Sequence, residues 1–283
     1  MRMGNSRESR NIEDRRSGGP RLGGRGSIGI GTIVLALVAI YFGVDPAVVL
    51  QMAEGPAPMQ QQAPSQPPAN DPQTRFVAQV LGETEDTWAA IFEQNLNRPY
   101  QPPRLVLFRG ATPTACGTGQ AAMGPFYCPA DSKVYIDLSF FDEMQRRLNA
   151  PGDFAQAYVI AHEVGHHVQH LLGIAGQVDR LRQRNPGQAN ALSVRMELQA
   201  DCFAGLWARR ADQARNILEP GDIEEGLAAA SAIGDDTLQK QSQGYVVPDA
   251  FTHGSSAQRV RWFKRGLDSG DLRQCDTFST DTL

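Results

Sequence analysis

From Arg75 to Asn95 the apolar residues Val77, Val80, Leu81, Trp88, Ile91 and Phe92 recur at helical spacing, so this stretch predicts a helix. Arg104–Phe108 and Lys133–Leu138 are short and rich in strand formers, and Lys133–Leu138 alternates cleanly between polar and apolar positions. Lys133–Leu138 reads equally as an ordinary half-buried strand and as a sheet edge open to an extended peptide. From Phe154 to Leu172 apolar helix formers run without a breaker. A further helix is predicted across Ser193–Trp207 with Ser193 as its N-cap, and another from Ser256, as cap, to Leu267. Short strands followed by several helices predict an α+β domain.

Ahead of these elements the pattern changes. Ser27–Val44 is an uncharged apolar run of 18 residues, near the lower limit for a membrane-spanning helix. A cleaved signal peptide is the competing reading. The long positive region and the lack of a prompt A-x-A site favour an uncleaved anchor. Seven arginines precede it (2, 7, 10, 15, 16, 21, 25), against Glu8, Glu13 and Asp14. The positive-inside rule then expects a cytoplasmic N-terminus and an extracytoplasmic, periplasmic remainder. Residues 53–73 are rich in Pro, Gln and Ala and read as a disordered spacer. The expected organisation is a basic tail (1–26), a transmembrane helix (27–44), a linker (45–74) and one domain (75–283).

Beyond the arginine-rich start the balance is acidic, which argues against nucleic-acid binding. All four cysteines (116, 128, 202, 275) follow the apolar span, where an oxidising compartment favours disulfides. Three connectivities are possible. Pairing Cys116 with Cys128 would close a Gly-rich loop and leave Cys202 for Cys275.

The chemistry concentrates in His162-Glu163-Val164-Gly165-His166, inside the Phe154–Leu172 helix. Residues i and i+4 share a helix face, so two imidazoles can chelate one Zn²⁺. Glu163 then stands as general base for the attacking water. Gly165 is small enough to allow close packing beside a metal. A catalytic zinc needs a third protein ligand and one open position. His170 lies one turn further along, and three nearly collinear imidazoles cannot converge on one ion; His167 points about 100° away from His166. The metzincin pattern is excluded because no glycine stands two residues before a third histidine. Glu197 supplies the missing ligand, and Asp201, four residues on, accepts the N–H of a liganding histidine. The set is His162, His166 and Glu197, a gluzincin-like His₂Glu site.

Residues 252–259 form the other unusual stretch. His253 is expected to stabilise the oxyanion, with Arg259 and Tyr245 as further candidates.

Four blocks resemble the neutral zinc metallopeptidases of bacterial membranes, the YpfJ-type proteins: AHEVGHHVQ (161–169), ELQADCFAGLWA (197–208), GPFYCPADSKVYIDLSFF (124–141) and THGSSAQRVRWFKRG (252–266). The resemblance covers about residues 75–283. It implies a zincin-like domain with a small sheet and a zinc cofactor, acting on peptide or protein substrates at a membrane held through residues 27–44. A zinc-stabilised scaffold or chaperone without catalysis is the alternative. Glu163 separates the two, because a structural zinc site has no use for a base.

Overall fold

The computed structural model describes residues 1–16, 71–120 and 124–283. The predicted transmembrane span and nearly all of the predicted linker lie outside the described residues. Among the described residues no helix is long and apolar enough to cross a membrane.

The architecture is α+β. Strands β1 (Ile12–Asp14), β2 (Arg104–Phe108), β5 (Phe126–Cys128) and β6 (Lys133–Asp137) form one sheet in the order β1-β2-β6-β5. β1 and β6 both run parallel to β2, with Ile12 opposite Leu105 and Leu105 opposite Val134. β5 is antiparallel to β6, with Phe126 opposite Tyr135. The hairpin β3 (Ala111–Thr114) and β4 (Gly117–Gln120) stands apart. β6 therefore lies inside the sheet, and the edge-strand reading of Lys133–Leu138 is corrected. β5, only three residues long, is the edge beside β6, and β1 is the opposite edge.

The N-terminal residues also correct the predicted organisation. Residues 1–16 are built into the domain, not set apart in a tail. β1 adds a strand to the sheet. Arg7 pairs with Glu85 and Asp86, Arg16 with Asp14 and Asp71, and Glu13 with Lys133. Among the described residues, Arg2, Arg7, Arg15 and Arg16 of the basic start are thus ion-paired in the fold.

Helix α1 (Pro72–Ile91) begins three residues earlier than predicted, because Asp71 caps it by accepting Gln73 N–H and Pro72 fits the first turn. It is followed by α2 (Ser139–Arg146), α3 (Asp153–Leu171), α4 (Ile174–Arg184), α5 (Ala189–Arg215), α6 (Asp222–Ala232), α7 (Asp235–Gln243) and α8 (Ser256–Ser269). Ser193 lies inside α5, where its hydroxyl meets Arg182, so it is not the predicted cap. The cap of α8 is Ser255, in a reciprocal capping box with Gln258, while Ser256 Oγ reaches Asp236.

α3 and α5 form the centre of the molecule. Trp88 of α1 meets Phe203 of α5 edge-on at 5.4 Å, and Phe154 of α3 stacks on Trp207 at 6.2 Å. α5 and α8 cross with backbones in contact. A Cβ on Gly205 would stand 2.0 Å from Phe263 O, and one on Gly266 would stand 1.9 Å from Cys202 O. The disulfide Cys202–Cys275 closes that corner, and Cys116–Cys128 ties the β3–β4 turn to β5, the pairing expected from the sequence.

Candidate metal centre

His162, Glu163 and His166 lie on α3, and Glu197 and Asp201 on α5. A Cβ on Gly165 would lie 3.2 Å from Ala200 Cα, so a side chain there would push the two helices apart. That close approach carries Glu197 to the histidines. His162 Nε2 is 3.1 Å from Glu197 Oε2, and His166 Nε2 is 3.5 Å from Glu197 Oε1. One ligand atom from each of the three residues lies within 4.8 Å of the others. The predicted His₂Glu set is brought together.

Both imidazoles are oriented through their other nitrogen. His162 Nδ1 donates to Asp201 Oδ1 at 2.8 Å, as expected of Asp201. His166 Nδ1 donates to Gln169 Oε1 at 2.9 Å, and Gln169 Nε2 in turn donates to Met196 O of α5. Gln169 is fully buried. Sequence reasoning missed it, although its position three residues after His166 was the available signal. Each Nε2 is thereby left to face Glu197. Two imidazole nitrogens and a carboxylate on convergent vectors suit zinc, so these residues fit the ion.

The electrostatics agree. Burial works against charge on His162, but Asp201 and Glu197 outweigh it and raise its pKa to about 9. His166 is raised for the same reason, with Glu197 opposing its burial. Glu197 is held well below the carboxylate range because the two histidines outweigh burial. Glu163, at 7% exposure, is pushed up by burial, which suits a proton acceptor.

His167 and His170 are not part of this cluster, as the sequence indicates. His170 Nδ1 lies 2.7 Å from Tyr127 Oη, Tyr127 Oη lies 3.1 Å from His167 Nδ1, and His167 Nε2 lies 2.7 Å from Gln101 O. The only arrangement that gives every group one role runs from His170 through Tyr127 and His167 to the carbonyl. Burial depresses His167 to about 4, which keeps it neutral in that chain. The chain fastens the edge strand β5 to the metal helix.

A cleft of about 500 Å³ opens on the cluster. β5 and its approach (Gly124–Tyr127) form one wall, and His162, Glu163, His166 and Glu197 line it together with His253. The His253 loop is organised by Asp235, whose Oδ2 accepts the backbone N–H of Thr252, His253 and Gly254. Asp235 Oδ1 lies 3.2 Å from His253 Nδ1 and, against burial, raises the histidine's pKa. Of the two other oxyanion candidates, Tyr245 is exposed and outside the cleft lining, whereas Arg259 lines the cleft and turns its guanidinium onto Asp201.

Comparison with known proteins agrees with this geometry. The chain is 55% identical over 287 residues to the uncharacterized protein YpfJ of Escherichia coli K12, covering 98% of this chain and 99% of the relative. It is 45% identical over 194 residues to the uncharacterized protein Mb2605 of Mycobacterium bovis, covering 65% of each. No solved structure matches. Residues 1–278 match the family described as "Putative neutral zinc metallopeptidase", and the chain belongs to that family.

Proposed function

We propose that the protein is a zinc-dependent metalloendopeptidase that hydrolyses peptide bonds of extracytoplasmic proteins or peptides. The observation that carries this reading is the convergence of His162 Nε2, His166 Nε2 and the Glu197 carboxylate in a cleft that also contains the buried Glu163. Three ligands with a base beside them suit catalysis better than a closed structural site. His162, His166 and Glu197 would hold a zinc ion, which would supply Lewis-acid polarisation of the scissile carbonyl and a lowered pKa for water.

The chain's own groups do the rest. Glu163 accepts the proton of the attacking water and passes it to the departing amine, and its raised pKa favours that exchange. His253, whose cationic form is favoured by its hydrogen bond with Asp235, donates to the oxyanion. β5 offers the substrate a strand edge along the cleft wall. The two disulfides support an oxidising compartment, and the apolar residues 27–44 support attachment to a membrane. The pairing of β1 with β2 of the same domain supports an N-terminus on the same side of the membrane as the domain.

Glu163→Gln tests the mechanism. It keeps the size of the side chain and removes the base. Zinc content should equal wild type while hydrolysis of an unfolded protein substrate falls at least about 10²-fold. Equal cleavage rates in the two proteins would sink the assignment.

A further inference from the structure

Asp201 is fully buried, and it carries more than the histidine contact foreseen for it. Its Oδ1 accepts from His162 Nδ1 at 2.8 Å, from Tyr158 Oη and from Arg259 Nη2 at 2.9 Å. Among the described residues, the donor to its Oδ2 is Arg259 Nε, also at 2.9 Å. The pair is a two-point, fork-to-carboxylate contact with both partners out of water: Asp201 is 0% and Arg259 2% exposed. Without the guanidinium, Oδ2 would be a buried acceptor with no donor. The carboxylate would then be free to turn about its own axis and carry His162 with it.

The guanidinium is itself held in place. Nη1 donates to Ile233 O at 3.2 Å, and Nη2 lies 3.3 Å from Tyr158 Oη. Its helix, α8, begins at the Ser255–Gln258 capping box and is pressed onto α5 at Gly205 and Gly266. These contacts fix the depth from which Arg259 reaches Asp201. Orientation thus runs from the α5–α8 crossing through Arg259 and Asp201 to the ring of His162.

Resting on the metallopeptidase reading above, we propose that Arg259 is a positioning residue for zinc: by clamping Asp201 at two points it aims His162 Nε2 at the metal. Although it also lines the cleft, in this role it acts through Asp201 and His162. A lysine at 259 would keep the charge but lose the fork, so the proposal separates geometry from charge.

The test uses the full chain purified in detergent. Zinc dissociation constants are measured by chelator competition for wild type, Arg259→Lys, Arg259→Met, Asp201→Asn and the double variant Asp201→Asn/Arg259→Met. The visible spectrum of each Co²⁺-loaded protein is recorded at saturation. Arg259→Lys should weaken zinc binding by roughly 10–100-fold, the range for groups that orient a metal ligand, and should change the Co²⁺ bands. The double variant should bind no more weakly than Asp201→Asn alone, because Arg259 acts through Asp201. It also leaves no unpaired buried charge, so it remains readable if Arg259→Met folds poorly. Wild-type affinity and an unchanged Co²⁺ spectrum in Arg259→Lys would overturn the proposal. So would a double variant whose loss is the product of the two single losses. If wild type binds no zinc, the metallopeptidase reading falls with it; if wild type binds and Arg259→Lys matches it, only the positioning role falls.

Discussion

Glu197 and Asp201 face the same way on α5, yet their contacts give them different parts. Glu197 meets both Nε2 atoms, whereas Asp201 meets only the far side of His162. Glu197→Ala should therefore remove most bound zinc, while Asp201→Ala should weaken affinity by roughly 10–100-fold. Metal analysis of the purified variants checks both, and full retention in Glu197→Ala would reassign the third ligand. Zinc binding should also depend on pH. Metal-free His162 titrates at about 9, so below that pH it holds a proton that must leave before Nε2 can ligate. His166, also raised, adds to the effect. Affinity should fall as pH drops from 9, and binding at pH 7 should release protons, measurable by titration calorimetry in buffers of different ionisation enthalpy. The ligands were legible in the sequence because helix periodicity fixes i and i+4 regardless of context. Gln169 and Arg259 were not. Nothing in spacing says which way a buried amide turns, and Arg259 meets Asp201 across 58 positions of chain.

At the scale of elements, the long helices were legible and the sheet less so. α3 and α1 follow from their apolar repeats, but the start of α1 was hidden because Asp71 and Pro72 end a stretch read as linker. β5 gave almost no signal, since three residues are too few for alternation to show. β6 drew the attention that belonged to β5 because a strand flanked on both sides can still alternate. The edge owes its position to side chains: Tyr127 bridges His167 and His170. Tyr127→Phe keeps the ring and removes the bridge, leaving His167 Nδ1 without a donor. That should cost about 1–3 kcal/mol of stability, read by thermal or denaturant unfolding. If β5 is the substrate's strand partner, KM should rise more than kcat falls. An unchanged KM would show that substrate does not use this wall.

For the whole molecule, the decisive feature is the clasp where the N-terminal strand meets α1. Arg16 Nη1 lies 2.6 Å from Asp71 Oδ2, and Arg16 Nη2 lies 2.7 Å from Thr74 Oγ1. The clasp therefore holds Arg16 and Asp71, the facing ends of two described segments, side by side. Strands cannot pair through a bilayer, so the β1–β2 pairing predicts a single compartment for both described segments. Reporters fused before Met1 and after Leu283 should thus agree, and opposite answers would mean that β1 is not paired in the cell. In polymer terms the clasp holds together the two ends of the intervening sequence. Its closure entropy grows only as the logarithm of its length, about 0.6 kcal/mol per doubling. Replacing residues 17–70 by a short Gly-Ser bridge should leave the unfolding temperature and zinc content nearly unchanged, whereas deleting residues 1–16 should lower both. Stability would then rest on the clasp and not on the length of sequence between its two ends, which leaves that length free to vary.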